Sequence, residues 1–195
     1  AKLNDTQQPV AGSCVGIGCL KIISDFDAKS SSSTLGKVSS VEKWPQATLK
    51  AWLETSLNLQ SNQIKSAMKY LRTGKDLLSL GDSDLEKIFM LNAAYLHKRK
   101  LKLAIDELKA PDKIKYPRAN DISTDWICDV WLRDIGLVQY EQSFRLNLVD
   151  GRLLVSLQKK DLEKYFGISK RNHQTSLLLA LELLRKCEFD IRKLN

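Results

Sequence analysis

The chain has 195 residues, is 43% hydrophobic and 28% charged, and carries a net charge of +8. That is the balance of a globular protein, and no apolar run approaches the roughly 18 residues that a membrane-spanning helix needs, so no transmembrane segment is expected. The positive charge does not form a nucleic-acid signature, because basic and acidic residues alternate along most of the sequence and only short clusters stand out, His97-Lys98-Arg99-Lys100 and Lys170-Arg171.

Residues 1–43 hold Gly12, Gly16, Gly18 and the run Ser30-Ser31-Ser32-Ser33 with little aromatic content. Such a stretch cannot bury enough surface to offset its ordering entropy, and it is read as a disordered tail. Cys14 and Cys19 lie in it without neighbouring ligands, so no metal site and no cofactor are expected. With Cys128 and Cys187 they show no repeated pairing pattern, which points to reduced thiols in a cytoplasmic or nuclear setting. The chain opens on Ala1 and is read as a fragment or a processed product.

From Trp44-Pro45 the texture becomes helical. Pro45 suits a first helical turn, and Leu49, Trp52, Leu53 and Leu57 follow at helical spacing. Short amphipathic pieces are expected over Gln63 to Leu71, Gly74 to Leu80 and Ser83 to Ile88, with Ser83 as the N-cap of the last and Glu86 as its reciprocal capping residue. A longer helix runs from Tyr95 to Lys109, and Pro111 stops it. After a linker, 111–123, the same order starts again with Trp126, Trp131, Leu132, Ile135 and Leu137. It closes on a long helix from about Asn172 to Cys187.

The second pass repeats the first almost by the letter. Gly74-Lys75-Asp76-Leu77-Leu78-Ser79-Leu80 leads into Asp84-Leu85-Glu86-Lys87, and Gly151-Arg152-Leu153-Leu154-Val155-Ser156-Leu157 leads into Asp161-Leu162-Glu163-Lys164, at a constant offset of 77 residues. His97 and His173 follow at an offset of 76. A unit this long exceeds a solenoid repeat and can hold its own core. With no period-2 alternation, the fold class is all-α: two tandem five-helix bundles after a disordered tail, divided as 1–43, 44–110, 111–123 and 124–195.

The order Trp131-Leu132, Gly136-Leu137-Val138-Gln139-Tyr140, Gly151-Arg152-Leu153-Leu154 and Asp161-Leu162-Glu163-Lys164 resembles the sterile alpha motif (SAM) domain, and the first copy resembles it less closely, with Asn58-Leu59-Gln60-Ser61 in place of the Gly-Leu-x-x-Tyr element. Among SAM proteins the tandem is similar to the liprin and kazrin group, and within it to the kazrins more than the liprins. The carriers are Arg72-Thr73-Gly74-Lys75-Asp76, Asp125-Trp126, and Ser169-Lys170-Arg171-Asn172-His173-Gln174. The resemblance implies five helices per copy and a non-catalytic scaffold at cell junctions or the cortical cytoskeleton. The partners it implies are other SAM domains, of this or another protein, and junctional or cytoskeletal scaffold proteins.

No catalytic residues are expected, since the two histidines occupy equivalent positions and read as packing or capping groups and no nucleophile–base pair accompanies them. SAM-like domains commonly associate through an acidic mid-region surface and a basic start of the last helix. On that pattern the candidate mid-region face is Asp76, Asp82, Asp84 and Glu86, and the candidate end-helix face is Lys98, Arg99 and Lys100 in the first copy with Lys170 and Arg171 in the second. Lys159 and Lys160 weaken the second copy as an acidic donor, so the expected pairing sets the first copy's acidic face against the second copy's basic helix, within or between chains. The alternative is a SAM protein that binds an RNA hairpin through Lys98, Arg99, Lys100 and Lys102; only Tyr95 stands near them to stack on a base, so nucleic acid is the disfavoured partner.

Overall fold

The computed structural model describes residues 41–91 and 94–194. They are helical, with one isolated bridge between Pro45 and Thr73 and no strand among the described residues. The expected disordered tail falls, up to residue 40, outside this range. Val41 does not extend it, because Val41 is buried and its carbonyl accepts a 3.0 Å hydrogen bond from the Trp44 N–H.

In the first half α1 spans Gln46–Leu57, with Leu49, Leu53 and Leu57 buried one turn apart, and it ends where Asn58 takes the left-handed conformation at φ 52°. Helices α2 (Ser61–Ala67), α3 (Gly74–Leu78) and α4 (Asp82–Ile88) are short. Side chains that accept from the orphan N–H groups ahead of them hold their starts. Asp76 accepts from the Arg72 and Thr73 N–H groups, each at 2.9 Å, and Asp84 from the Gly81 N–H at 3.0 Å. The α4 cap is therefore Gly81 with Asp84 reaching back. Ser83 and Glu86 do not form it, since the helix begins one residue before Ser83. The long α5 runs over Tyr95–Lys109.

The linker is folded into 3-10 turns at Pro111–Lys113 and Pro117–Asp121. Then α6 (Thr124–Trp126) continues through a π-helical stretch, Ile127–Trp131, into α7 (Leu132–Asp134). Helices α8 (Glu141–Leu146), α9 (Gly151–Ser156), α10 (Lys159–Phe166) and α11 (Arg171–Lys186) complete the second half.

The repeat seen in the letters recurs in the packing. Gly74 donates its N–H to the Trp44 carbonyl and Gly151 donates to the Ile122 carbonyl, both at 3.0 Å. A Cβ on Gly74 would stand 1.7 Å from the Val41 oxygen, and one on Gly151 would stand 1.9 Å from the Ala119 oxygen. Each copy thus seats its third helix against the segment that leads into it, and glycine is required because backbone lies where a side chain would begin.

Two apolar cores result. One gathers Leu49, Leu53, Leu57, Ile64, Leu77, Leu85 and Phe89, and the other Trp131, Leu132, Phe144, Leu153, Leu162, Phe166, Leu177 and Leu181. Helix α5 serves both. Leu101, Ala104 and Ile105 bury into the first, whereas Leu96 belongs to the second and Leu103 packs against it. At 3.6 residues per turn the two stripes lie about 140° apart on one helix. Ala119 and Ile122 of the linker are buried in the second core as well, and the described residues fall in one compact unit.

Candidate interaction surfaces

The α5 stripe that faces the second half is not only apolar. Leu96, Arg99, Lys100, Leu103 and Glu107 fall at helical spacing, and their polar members meet α9, α10 and the loop before α9. Lys100 is 3% exposed; its Nζ sits 3.2 Å from Asp150 Oδ2 and donates to the Leu148 carbonyl at 3.0 Å. Arg99 Nη1 donates to Asp161 Oδ2 at 2.8 Å, where the carboxylate side chain is 3% exposed. Glu107 accepts from Arg152 Nε at 2.8 Å, and Arg152 Nη1 also reaches Asp150 at 3.3 Å and the Ser56 carbonyl at 3.2 Å. His97 Nε2 lies 3.0 Å from the Leu146 carbonyl, so that nitrogen carries the proton. Tyr95 closes the edge, stacked on Tyr165 at 5.2 Å between centroids with Lys164 over both rings.

The acceptors are placed by helix capping. Asp150 is the N-cap of α9 and accepts from the Leu153 N–H at 3.1 Å; Asp161 accepts from the Gln158 N–H at 2.9 Å at the start of α10. Each carboxylate is therefore held rigid by backbone before it meets a cation. Burial depresses the Lys100 ammonium below its ordinary value, opposed by Asp150. Burial likewise lowers His97, opposed by its bond to Leu146. Desolvating such pairs offsets much of their Coulombic gain, so the network fixes the relative placement of the two halves more than it adds net stability.

The residues expected from the sequence divide by fate. Asp76 and Asp84 are spent on helix caps, and backbone donors at Arg72 and Thr73 hold the Asp76 carboxyl below its usual range. Asp82 pairs with Lys102 at 2.8 Å and Glu86 with Lys98 at 2.6 Å, so the first half neutralises its own acidic face. Lys170 and Arg171 are exposed and have no ion-pair partner among the described residues. The expected pairing of this acidic face with Lys170 and Arg171 is not the one made inside the chain. The polarity is reversed, because the first half's basic helix has the second half's rigid caps, Asp150 and Asp161, within reach. Arg152, Glu107 and the carbonyls of Leu146 and Leu148 were not expected at the junction. The two histidines sit at equivalent helix positions but differ in partner: His173 Nδ1 is 2.8 Å from the Tyr140 hydroxyl of its own half. The residues proposed for RNA are engaged too, with Lys98, Arg99, Lys100 and Lys102 all on carboxylates and Tyr95 already stacked.

Residues 121–185 match the family model "SAM domain (Sterile alpha motif)". That stretch of the chain is similar to a SAM domain. The chain is similar to Kazrin of Mus musculus, 40% identical over 156 residues, covering 80% of this chain and 20% of that protein, and to Kazrin-A of Danio rerio, 38% identical over 149 residues, covering 76% and 19%. Liprin-alpha of Caenorhabditis elegans is 29% identical over 154 residues, covering 75% and 13%. These matches bear out the resemblance to the liprin and kazrin group. An alignment of 156 residues is longer than the SAM match and the linker together, so the likeness extends into the first half. The chain spans about a fifth of the length of the Kazrin relatives it matches. No helix among the described residues is long and apolar enough to cross a membrane.

Proposed function

We propose that this chain is a non-catalytic scaffold segment in which two consecutive SAM-like units, 44–110 and 124–195, act as one body and recruit partner proteins through SAM–SAM contacts. The observation that carries the reading is the junction itself: the basic start of one end helix, Arg99 and Lys100, seated on the capping carboxylates of the next unit, Asp161 and Asp150. It is a protein–protein recognition surface made within one chain. The likeness to Kazrin and Liprin-alpha supports a scaffold role, in the cytoplasm at cell junctions or the cortical cytoskeleton, with SAM domains of junctional or cytoskeletal scaffold proteins as partners. The outward-facing group offered to them is the exposed pair Lys170 and Arg171 at the start of α11.

The test is a binding panel of purified SAM domains from junctional and cytoskeletal scaffold proteins against the whole chain, wild type and Lys170→Glu with Arg171→Glu. At least one domain is expected to bind, with the double variant weakening it by roughly tenfold or more, as loss of complementary charge across an interface does. A panel in which nothing binds, or in which the double variant binds equally well, would contradict the reading.

A further inference from the structure

We infer that the junction is selective to the point of being made once per chain: its charged pairs are absent from the two outward faces that stand at the equivalent positions, so this contact does not add a second copy of the chain, and the SAM-type partner belongs to another protein. The inference rests on the proposed scaffold reading and narrows its partner.

The equivalence of positions is fixed by structure. In the end helices, Leu101, Ile105 and His97 of α5 correspond to Leu177, Leu181 and His173 of α11, and the four leucine and isoleucine side chains are buried alike. Arg99 therefore corresponds to Thr175 and Lys100 to Ser176, both exposed. In the mid region, Asp150 corresponds to Thr73, each being the N-cap residue directly before the glycine that opens its helix. Asp161 corresponds to Asp84, each accepting from the backbone N–H three residues earlier.

Placing a second copy end to end in the geometry of the junction would therefore set Ser176 against Thr73 where the chain has Lys100 against Asp150. It would set Thr175 against Asp84 where the chain has Arg99 against Asp161. Leu183 would stand where Glu107 stands, leaving Lys75, the counterpart of Arg152, without a carboxylate. No ion pair of the junction would re-form. The remaining charges do not substitute for them: Lys170 and Arg171 would look for a free acidic face, and Asp82 and Glu86 are already paired with Lys102 and Lys98. Specificity between similar surfaces is a difference in affinities, and here the difference lies in whether buried charge finds its partner.

The deciding experiment moves the charges outward. Thr73→Asp keeps an N-cap residue, and Thr175→Arg with Ser176→Lys changes exposed helix positions, so the triple variant is expected to melt like wild type. By light scattering on the whole chain, from dilute to several hundred micromolar, wild type stays at the monomer mass. The triple variant more than doubles in mass as concentration rises and returns to monomer in high salt, because a head-to-tail contact of this kind does not close. A triple variant that melts normally yet stays monomeric overturns the inference. So does a wild-type mass that rises with concentration, whether or not Thr175→Glu and Ser176→Glu reverse the rise, because a second copy of the chain is then a partner. Arg99→Glu with Lys100→Glu separates the two levels of argument, since unchanged stability in that variant would sink the junction and with it the scaffold reading, independently of the triple variant.

Discussion

At the scale of single residues, the chemistry of the junction is decided by carboxylates whose first duty is local. Asp150 and Asp161 each cap a helix, and only because backbone holds them do they present fixed acceptors to Lys100 and Arg99. Asp76 and Asp84 have the same capping duty in the first half and pair with no cation among the described residues. His97 adds a titratable element. Its pKa is lowered from the ordinary 6.5 by burial, with Lys100 acting in the same direction. Between its folded value and 6.5 the unfolded chain holds a proton that the folded chain does not. Stability therefore rises with pH through that window and is lost on acidification below 6.5. His97→Gln keeps a donor for the Leu146 carbonyl but does not titrate, so urea midpoints measured from pH 7.5 down to about 5 should fall less steeply in the variant than in wild type. Parallel curves for the two would show that His97 contributes nothing to the pH response.

At the scale of elements, each copy is organised around the glycine that opens its third helix. Gly74→Ala and Gly151→Ala should each cost on the order of 3 kcal/mol, since a Cβ would meet a carbonyl oxygen at 1.7 and 1.9 Å and backbone cannot step aside. Gly136→Ala, at φ +70° with nothing near its Cβ, should cost about 1 kcal/mol from conformation alone. Denaturant unfolding that ranked the three equally would contradict this account. The glycines also show what was legible beforehand. The repeat letters located both third helices, and periodicity placed α5 at Tyr95 to Lys109, because local patterning determines local structure. Ser83 does not cap its helix, because the helix already begins at Asp82 and it is Asp84 that reaches back to the Gly81 N–H. Which face of α5 met which core was not legible, because both stripes are spaced at helical intervals and the choice rests on contacts some 50 residues apart in sequence. A signal for it was nonetheless present: the two copies differ at Lys100/Ser176 and at Asp150/Thr73 by gaining opposite charges, which marks positions that face each other.

At the scale of the whole molecule, one helix with two buried faces joins two apolar cores, and an ion network runs along the same junction. Hydrophobic burial of Leu96 and Leu103 supplies adhesion, and the pairs Lys100–Asp150, Arg99–Asp161 and Arg152–Glu107 supply orientation. The linker between the cores is folded, with Ala119 and Ile122 buried. The most direct test is a double-mutant cycle across the junction in the whole chain, with Lys100→Met, which keeps the aliphatic stem, and Asp150→Ser, which keeps the helix cap. Unfolding free energies of wild type, the two single variants and the double variant should give a coupling of about 1–3 kcal/mol, with Asp150→Ser alone the most damaging because it strands a buried ammonium. A coupling indistinguishable from zero would mean that Lys100 and Asp150 do not meet in solution, and that the two halves are not joined in this way.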